Sequence, residues 1–160
     1  MTTPADDELR ALDREMAELM GWKWWITYEP DDDDDCCDLL LWHADDRPKG
    51  YKPARMHPDG RLWTDHFCDS CLRRVPRYSS TWEGFGLLVE EIERQGWDHF
   101  TERSEAMGCG IGTVNRNDGP RDWAMMPPRH TCIGIDIRHA LALAARDAFR
   151  AKKEAEGVKK

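Results

Sequence analysis

The stretch Ser80–Gly96, STWEGFGLLVEEIERQG, predicts the clearest helix in this sequence and decides how the rest of the chain is interpreted. Ser80 and Glu83 are spaced as a capping box, in which a hydroxyl side chain and a glutamate three residues later bind the free amides of a first helical turn. Gly96 suits the position just after a helix. The apolar side chains recur at helical spacing: Trp82, Phe85, Leu88, Val89 and Ile92. We expect this stripe to bury against a sheet that contains Trp22–Tyr28.

The two ends of the chain predict two more helices. Pro4 suits the first position of a helix, and apolar side chains at helical spacing continue from there to a stop at Gly21. The first helix is therefore expected over residues 4–20. The last helix is expected to begin near Asp136 and to run to about Ala155, with an apolar inner face that is rich in alanine.

The segments between these helices have the patterns of strands. Trp22–Tyr28 alternates between apolar and polar side chains, which is typical of a half-buried strand. The glycine-rich Met107–Val114 is interpreted as a strand, because no helix follows its glycines as a phosphate loop requires. The other predicted strands are Asp38–His43, Arg61–Asp65, Trp97–Arg103 and, after a hairpin turn, Asp122–Met126. These elements predict an α+β fold in which an antiparallel sheet is sandwiched by three α-helices.

Three stretches together carry a resemblance to a known family. They are LDREMAELMGW at Leu12–Trp22, PRYSSTWEGFGLLVEEIERQG at Pro76–Gly96, and IRHALALAARDAF at Ile137–Phe149. In order and spacing these stretches resemble the phage ABA sandwich domain, a family of bacteriophage and prophage genomes. The resemblance implies an antiparallel sheet between helices. It implies no activity, because the family has no assigned catalytic residues that could be carried over.

The bulk composition limits the classes of protein to which the chain can belong. Of its 160 residues 40% are hydrophobic and 34% are charged, and eight are tryptophans, which favours a chain with a core over a disordered one. The net charge of −8 opposes general affinity for a nucleic-acid backbone, so we expect no direct nucleic-acid binding. No apolar stretch approaches the roughly 20 residues of a membrane span, and Met1–Asp7 lacks the pattern of a signal peptide. We therefore expect a cytoplasmic protein without membrane association.

The segment Glu29–Val75 departs from the family pattern and carries a candidate metal site. We predict a single domain over residues 1–160, with residues 29–75 as a cysteine-bearing insertion. Zinc takes four thiolate or imidazole ligands, so one structural zinc could staple the insertion. The candidate ligands are Cys36, Cys37, Cys68 and Cys71, with His43, His57 or His66 as an alternative fourth ligand. Adjacent cysteines splay apart, which is why a histidine is considered; unrelated cytosolic thiols and a redox CxxC pair are the other hypotheses.

Two tryptophans and three arginines are candidate binding residues. They are Trp25, Trp63, Arg73, Arg74 and Arg77. Trp25 and Trp63 are expected to be exposed and to stack on a base or anchor a partner, whereas Trp82 is expected in the core. A basic pocket built from residues such as these arginines and Arg129 would favour the binding of a nucleotide or a similar small ligand.

The sequence predicts binding rather than catalysis, because nothing in it places a nucleophile beside a base. The resemblance and the charge suggest an accessory protein of a bacteriophage, active in the host cytoplasm. In this hypothesis it binds a host or phage protein and blocks a host factor. One alternative is a pocket protein that sequesters a nucleotide or another small ligand. A second alternative is a metal-dependent enzyme, which would need an open position on its metal.

Overall fold

The computed structural model describes residues 4–27, 39–43, 45–59, 62, 69–118 and 127–158. Within these residues it has three α-helices and two three-stranded antiparallel sheets, which confirms an α+β fold with three helices. The single sheet expected from the sequence is replaced by two. The chain divides into two compact units, of which the first combines Met1–Leu19 with Pro76–Lys160 and the second is the internal segment Met20–Val75.

The first unit contains the helices and the longer sheet. The helices are α1 (Pro4–Leu19), α2 (Trp82–Arg94) and α3 (Ile137–Val158), close to the predicted bounds. The second unit supplies β1 (Lys23–Ile26), β2 (Leu39–Trp42) and β3 (Lys52–Pro53), paired in the order β2-β1-β3. The first unit supplies β4 (Asp98–Ser104), β5 (Cys109–Asn115) and β6 (Arg129–Gly134), paired in the order β4-β5-β6.

Helix α3 packs on one face of the β4-β5-β6 sheet, and three glycines allow it to approach closely. A Cβ atom on Gly112 would lie 2.4 Å from the backbone nitrogen of Leu141, and one on Gly110 or Gly134 would meet α3 or the residue before it just as closely. The facing side chains of α3 are small, since Ala140 and Ala144 are fully buried. The glycine-rich stretch is therefore a strand, as predicted, and its glycines serve helix packing.

Helix α1 packs on α3 and is tied to the turn before α2 by a buried carboxylate. Asp13 is fully buried, and its Oδ1 accepts hydrogen bonds from the backbone nitrogen (2.9 Å) and the hydroxyl (2.8 Å) of Ser79. Arg10 donates to the other oxygen at 3.3 Å. Burial raises the pKa of Asp13 above its ordinary value, although these donors act in the opposite direction.

The second unit buries both faces of its small sheet. In β1, Trp24 and Trp25 point to opposite faces and are only 6% and 8% exposed. A 3-10 helix at Asp69–Leu72 contacts β2, and Cys71 within it is fully buried. Trp25 was expected to be exposed, and this prediction is wrong because the alternation of a half-buried strand does not apply to a sheet covered on both sides.

Three other details of the sequence-based fold need correction. Trp82 was expected in the core but is 63% exposed, because it begins α2 and the buried side of that helix is formed by Gly84, Leu88 and Ile92. The cap of α2 is Thr81 rather than Ser80, since the Thr81 hydroxyl accepts the Gly84 amide at 3.1 Å. Strand β5 pairs with β4 along one edge and with β6 along the other, and β6 was not predicted. The strand expected at Asp122–Met126 lies outside the described residues.

Candidate functional site

The predicted zinc ligands are only partly within the described structure. Four of them lie outside the described residues: Cys36, Cys37, His66 and Cys68. Of the remaining three, Cys71 is fully buried, His57 is half-buried, and the exposed His43 accepts the Asp45 amide at Nδ1 over 3.3 Å. Among the described residues, no group of three histidine, cysteine or acidic side chains could hold a metal ion. The zinc site remains a prediction.

Two of the predicted binding residues lie together, at an open groove in the second unit. Arg73 and Arg74 follow the 3-10 helix and line this groove, which has a volume of about 700 Å³. Arg77 belongs to the first unit, where its carbonyl accepts the Thr81 hydroxyl, and Trp63 lies outside the described residues. We define the basic groove by the aromatic and cationic side chains that line it: Trp42, Arg47, Lys49, Tyr51, Arg73 and Arg74.

The sheet of the second unit supplies the floor of the basic groove. In the antiparallel register of β1 and β2, Trp25 pairs with Leu40 and Lys23 pairs with Trp42. Residues paired in this way share one face of a sheet, and successive side chains alternate, so Trp25, Leu40 and Trp42 project from the same face. Leu40 and Trp42 line the groove directly.

The loop from Asp46 to Tyr51 forms the next wall and is held by local bonds. The Tyr51 amide donates to the Pro48 carbonyl at 3.2 Å, and Gly50 takes the positive φ of 83° that closes the turn. Arg47 donates from Nε and Nη2 to the Tyr51 carbonyl at 3.3 and 3.2 Å. Its guanidinium also lies 5.8 Å from the centre of the Trp25 ring, so this cation is fixed on two sides.

The four cations of the basic groove have no acidic partner among the residues that the structure describes. Arg74 lies over the Trp42 ring, with its guanidinium carbon 4.9 Å from the ring centre. Within the described structure, neither this arginine nor Arg47, Lys49 or Arg73 forms an ion pair. Asp46 is the one acidic side chain among the described residues that line the groove. The arrangement can therefore bind an anion through charge-assisted hydrogen bonds.

The sequence analysis selected Arg73 and Arg74 but missed the rest of the basic groove. Trp42 lies in the strand predicted at Asp38–His43, and Arg47, Lys49 and Tyr51 follow it in a stretch for which no binding residue was predicted. A local excess of positive charge in that loop, within a chain of net charge −8, is the pattern that could have indicated them.

A second cluster, in the first unit, resembles a thiol site but lacks a reactive thiol. His130 and Cys132 are two residues apart in β6, so their side chains lie on the same face of the strand. The Cys132 thiol donates to Asp147 Oδ2 at 3.4 Å. Burial, together with this carboxylate, raises the pKa of Cys132 to about 11. Burial and the nearby Arg116 lower the pKa of His130. The thiol is therefore protonated at neutral pH, whereas nucleophilic catalysis needs the thiolate.

No family model, curated protein or solved structure matches this chain. The resemblance to the phage ABA sandwich domain is thus a hypothesis that depends on the three sequence stretches. In the part of the chain that the structure describes, no helix is both long and apolar enough to cross a membrane.

Proposed function

We propose that this protein acts by binding, and that the basic groove of the second unit holds a small anionic ligand that carries phosphate. The observation that carries the proposal is the set of four cations that have no acidic partner within the described ranges, in a chain of net charge −8. Like charges repel one another, so a cluster of this kind is most stable when an anion occupies it.

Within the described structure, many arginines of the first unit form ion pairs, unlike the cations of the basic groove. Several of its arginines each have a carboxylate partner. These pairs are Arg10–Asp13, Arg94–Glu91, Arg116–Asp118, Arg138–Asp136, Arg146–Asp147 and Arg150–Glu15. A chain with more acidic than basic residues has carboxylates available for pairing. Among the described residues, the cations around the groove have no such partner, and this difference from the six pairs supports a ligand.

The chemistry of the side chains favours phosphate as the anionic group. A guanidinium is planar and always charged, and it binds two phosphate oxygens at once. Arg47 is held by the Tyr51 carbonyl and the Trp25 ring, and Arg74 lies over the Trp42 ring. Because both side chains are already partly ordered, binding a ligand costs them less conformational entropy. Lys49 and Arg73 are exposed and supply adaptable charge.

A partner protein is the second candidate, and the exposed Trp82 favours it. Its indole makes an edge contact with Phe85 at 5.6 Å and lies 5.0 Å from the Arg138 guanidinium. Tryptophan and arginine are enriched among residues that dominate protein interfaces. This observation fits the hypothesis of a phage accessory protein that binds a host or phage protein in the cytoplasm; a structural zinc would add stability to such a protein.

Binding of inorganic tripolyphosphate, measured by isothermal titration calorimetry at low ionic strength, tests the proposed groove. Charge reversal of Arg73 and Arg74 to glutamate should weaken binding by at least about tenfold, because two charge-assisted contacts are lost. Arg77→Glu is the matched control, since Arg77 is an exposed arginine of the other unit. If neither tripolyphosphate nor a nucleoside triphosphate binds, or if Arg77→Glu weakens binding equally, the groove is not the site.

A further inference from the structure

Resting on the proposed function, we propose that the ligand of the basic groove is a free nucleoside phosphate, whose base stacks on Arg74 and whose phosphates contact Lys49 and Arg73. Phosphate alone would use only the charge of the groove. Three further features call for a ligand that also has a planar ring and hydrogen-bond donors. These features are the position of the Arg74 guanidinium over the Trp42 ring, the single carboxylate of Asp46 and the size of the groove.

Arg74 provides a stacking surface for a planar ring. The guanidinium of Arg74 lies over the Trp42 ring, with its carbon 4.9 Å from the ring centre. Nucleic-acid bases stack on arginine planes as they do on aromatic rings, so this exposed guanidinium offers a surface to a second planar group. Because Arg74 itself lines the groove, a base stacked there lies among the other cations.

Asp46, an exposed carboxylate, offers hydrogen-bond acceptors to a ligand that carries donors. Its carboxylate lines the groove beside four cations, yet no described side chain forms an ion pair with it. A carboxylate accepts hydrogen bonds and repels phosphate, so it disfavours an inorganic polyphosphate. Ribose hydroxyls and the exocyclic amino group of a base are donors that would satisfy Asp46.

The size and the overall charge favour a free nucleotide over a strand. The groove volume of about 700 Å³ lies within the roughly 300–1,000 Å³ that small-molecule sites occupy. A strand of nucleic acid would extend beyond the groove, where the net charge of −8 repels its phosphates. One nucleotide brings the ring, the donors and the charge without that repulsion.

Calorimetric titration of the full chain with matched probes tests this inference. The probes are the four ribonucleoside triphosphates one by one, inorganic tripolyphosphate, and a single-stranded DNA of ten nucleotides. We expect at least one triphosphate to bind about tenfold or more tightly than tripolyphosphate, a ratio that corresponds to about 1.4 kcal/mol of base recognition. Equal or weaker binding of all four triphosphates would overturn the nucleotide while leaving an anion groove. Tighter binding of the DNA would overturn the choice of a free ligand, and binding of no probe would remove the groove itself.

Substitutions of two exposed residues, Arg74 and Asp46, distinguish recognition of the base from recognition of charge. Arg74→Lys keeps the charge but loses the flat surface, so it should weaken binding of the nucleoside triphosphate more than binding of tripolyphosphate. Asp46→Asn removes the repulsive charge and should strengthen tripolyphosphate binding relative to the nucleotide. Arg77→Lys is the control, and circular dichroism establishes that each variant is folded. An unchanged preference in both Arg74→Lys and Asp46→Asn would contradict the assignment.

Discussion

Replacing Gly112 by alanine tests how closely α3 packs on the β4-β5-β6 sheet. The added Cβ would lie 2.4 Å from the Leu141 nitrogen and 2.5 and 2.6 Å from the carbonyl carbon and oxygen of Ala140. All three are backbone atoms, so no side-chain rotation relieves the clash. Non-bonded atoms normally lie about 3.5 Å apart, and the helix must therefore move away by roughly 1 Å.

That movement separates α3 from a core that includes Val114 and Leu141, both fully buried. Overpacking typically costs about 1–3 kcal/mol, and a clash with the α3 backbone places Gly112→Ala at about 3 kcal/mol. At about 2–4 °C per kcal/mol for a chain of this size, the melting temperature should fall by about 6–12 °C. The described α-helices lie in the first unit, so urea unfolding followed by circular dichroism at 222 nm reports on that unit.

Gly86→Ala is the matched control for this experiment. Gly86 lies within α2, is exposed, and has no atom within 4 Å of the position of a new Cβ. Alanine there should stabilise the protein by about 0.5–1 kcal/mol, because glycine loses more conformational entropy in a helix. The two substitutions therefore have opposite predicted signs. Equal stability of Gly112→Ala and the wild type would refute the close approach of α3 to β5.

Two smaller predictions follow from the exposure of Trp82 and the environment of Cys132. Trp82→Ala should lower the free energy of unfolding by no more than about 1 kcal/mol, because the indole is 63% exposed and loses mainly its contacts with Phe85 and Arg138; a loss above 3 kcal/mol in urea unfolding would show that it is a core residue. Cys132, with a pKa of about 11, should resist iodoacetamide at pH 8 and react as the pH approaches that value. Asp147→Asn should lower this pKa and speed labelling, measured by peptide mass spectrometry; rapid labelling of the wild type at pH 8 would contradict the assignment.

The three helices were predictable because their evidence is local. Pro4 marks the start of α1, and a hydroxyl side chain and a glycine mark the two ends of α2. In each α-helix the regular spacing of apolar residues indicates the buried face, and none of this depends on the rest of the chain. The position of Trp82 could not be read in this way. It belongs to the apolar stripe by spacing, but whether the first turn of a helix is covered depends on what packs beside it.

The strands and the basic groove depend on pairing between distant residues. β6 has the sequence RHTCIG, whose alternation is weak, and its place beside β5 is fixed by register rather than by composition. Arg47 and Arg74 are far apart in sequence and meet at the groove because the loop and the 3-10 helix both pack near β2. The charge of the groove was visible in the sequence, whereas its concave shape was not.

The hydrogen bonds between Asp13 and Ser79 have a consequence for how freely the internal segment can vary. They join two positions that are 66 residues apart. The part of the first unit that precedes Met20–Val75 is therefore bonded directly to the part that follows it. The entropy of closing such a loop depends only on the logarithm of its length, and doubling or halving it changes stability by about 0.6 kcal/mol. We therefore expect the first unit to tolerate internal segments of very different length between Leu19 and Pro76.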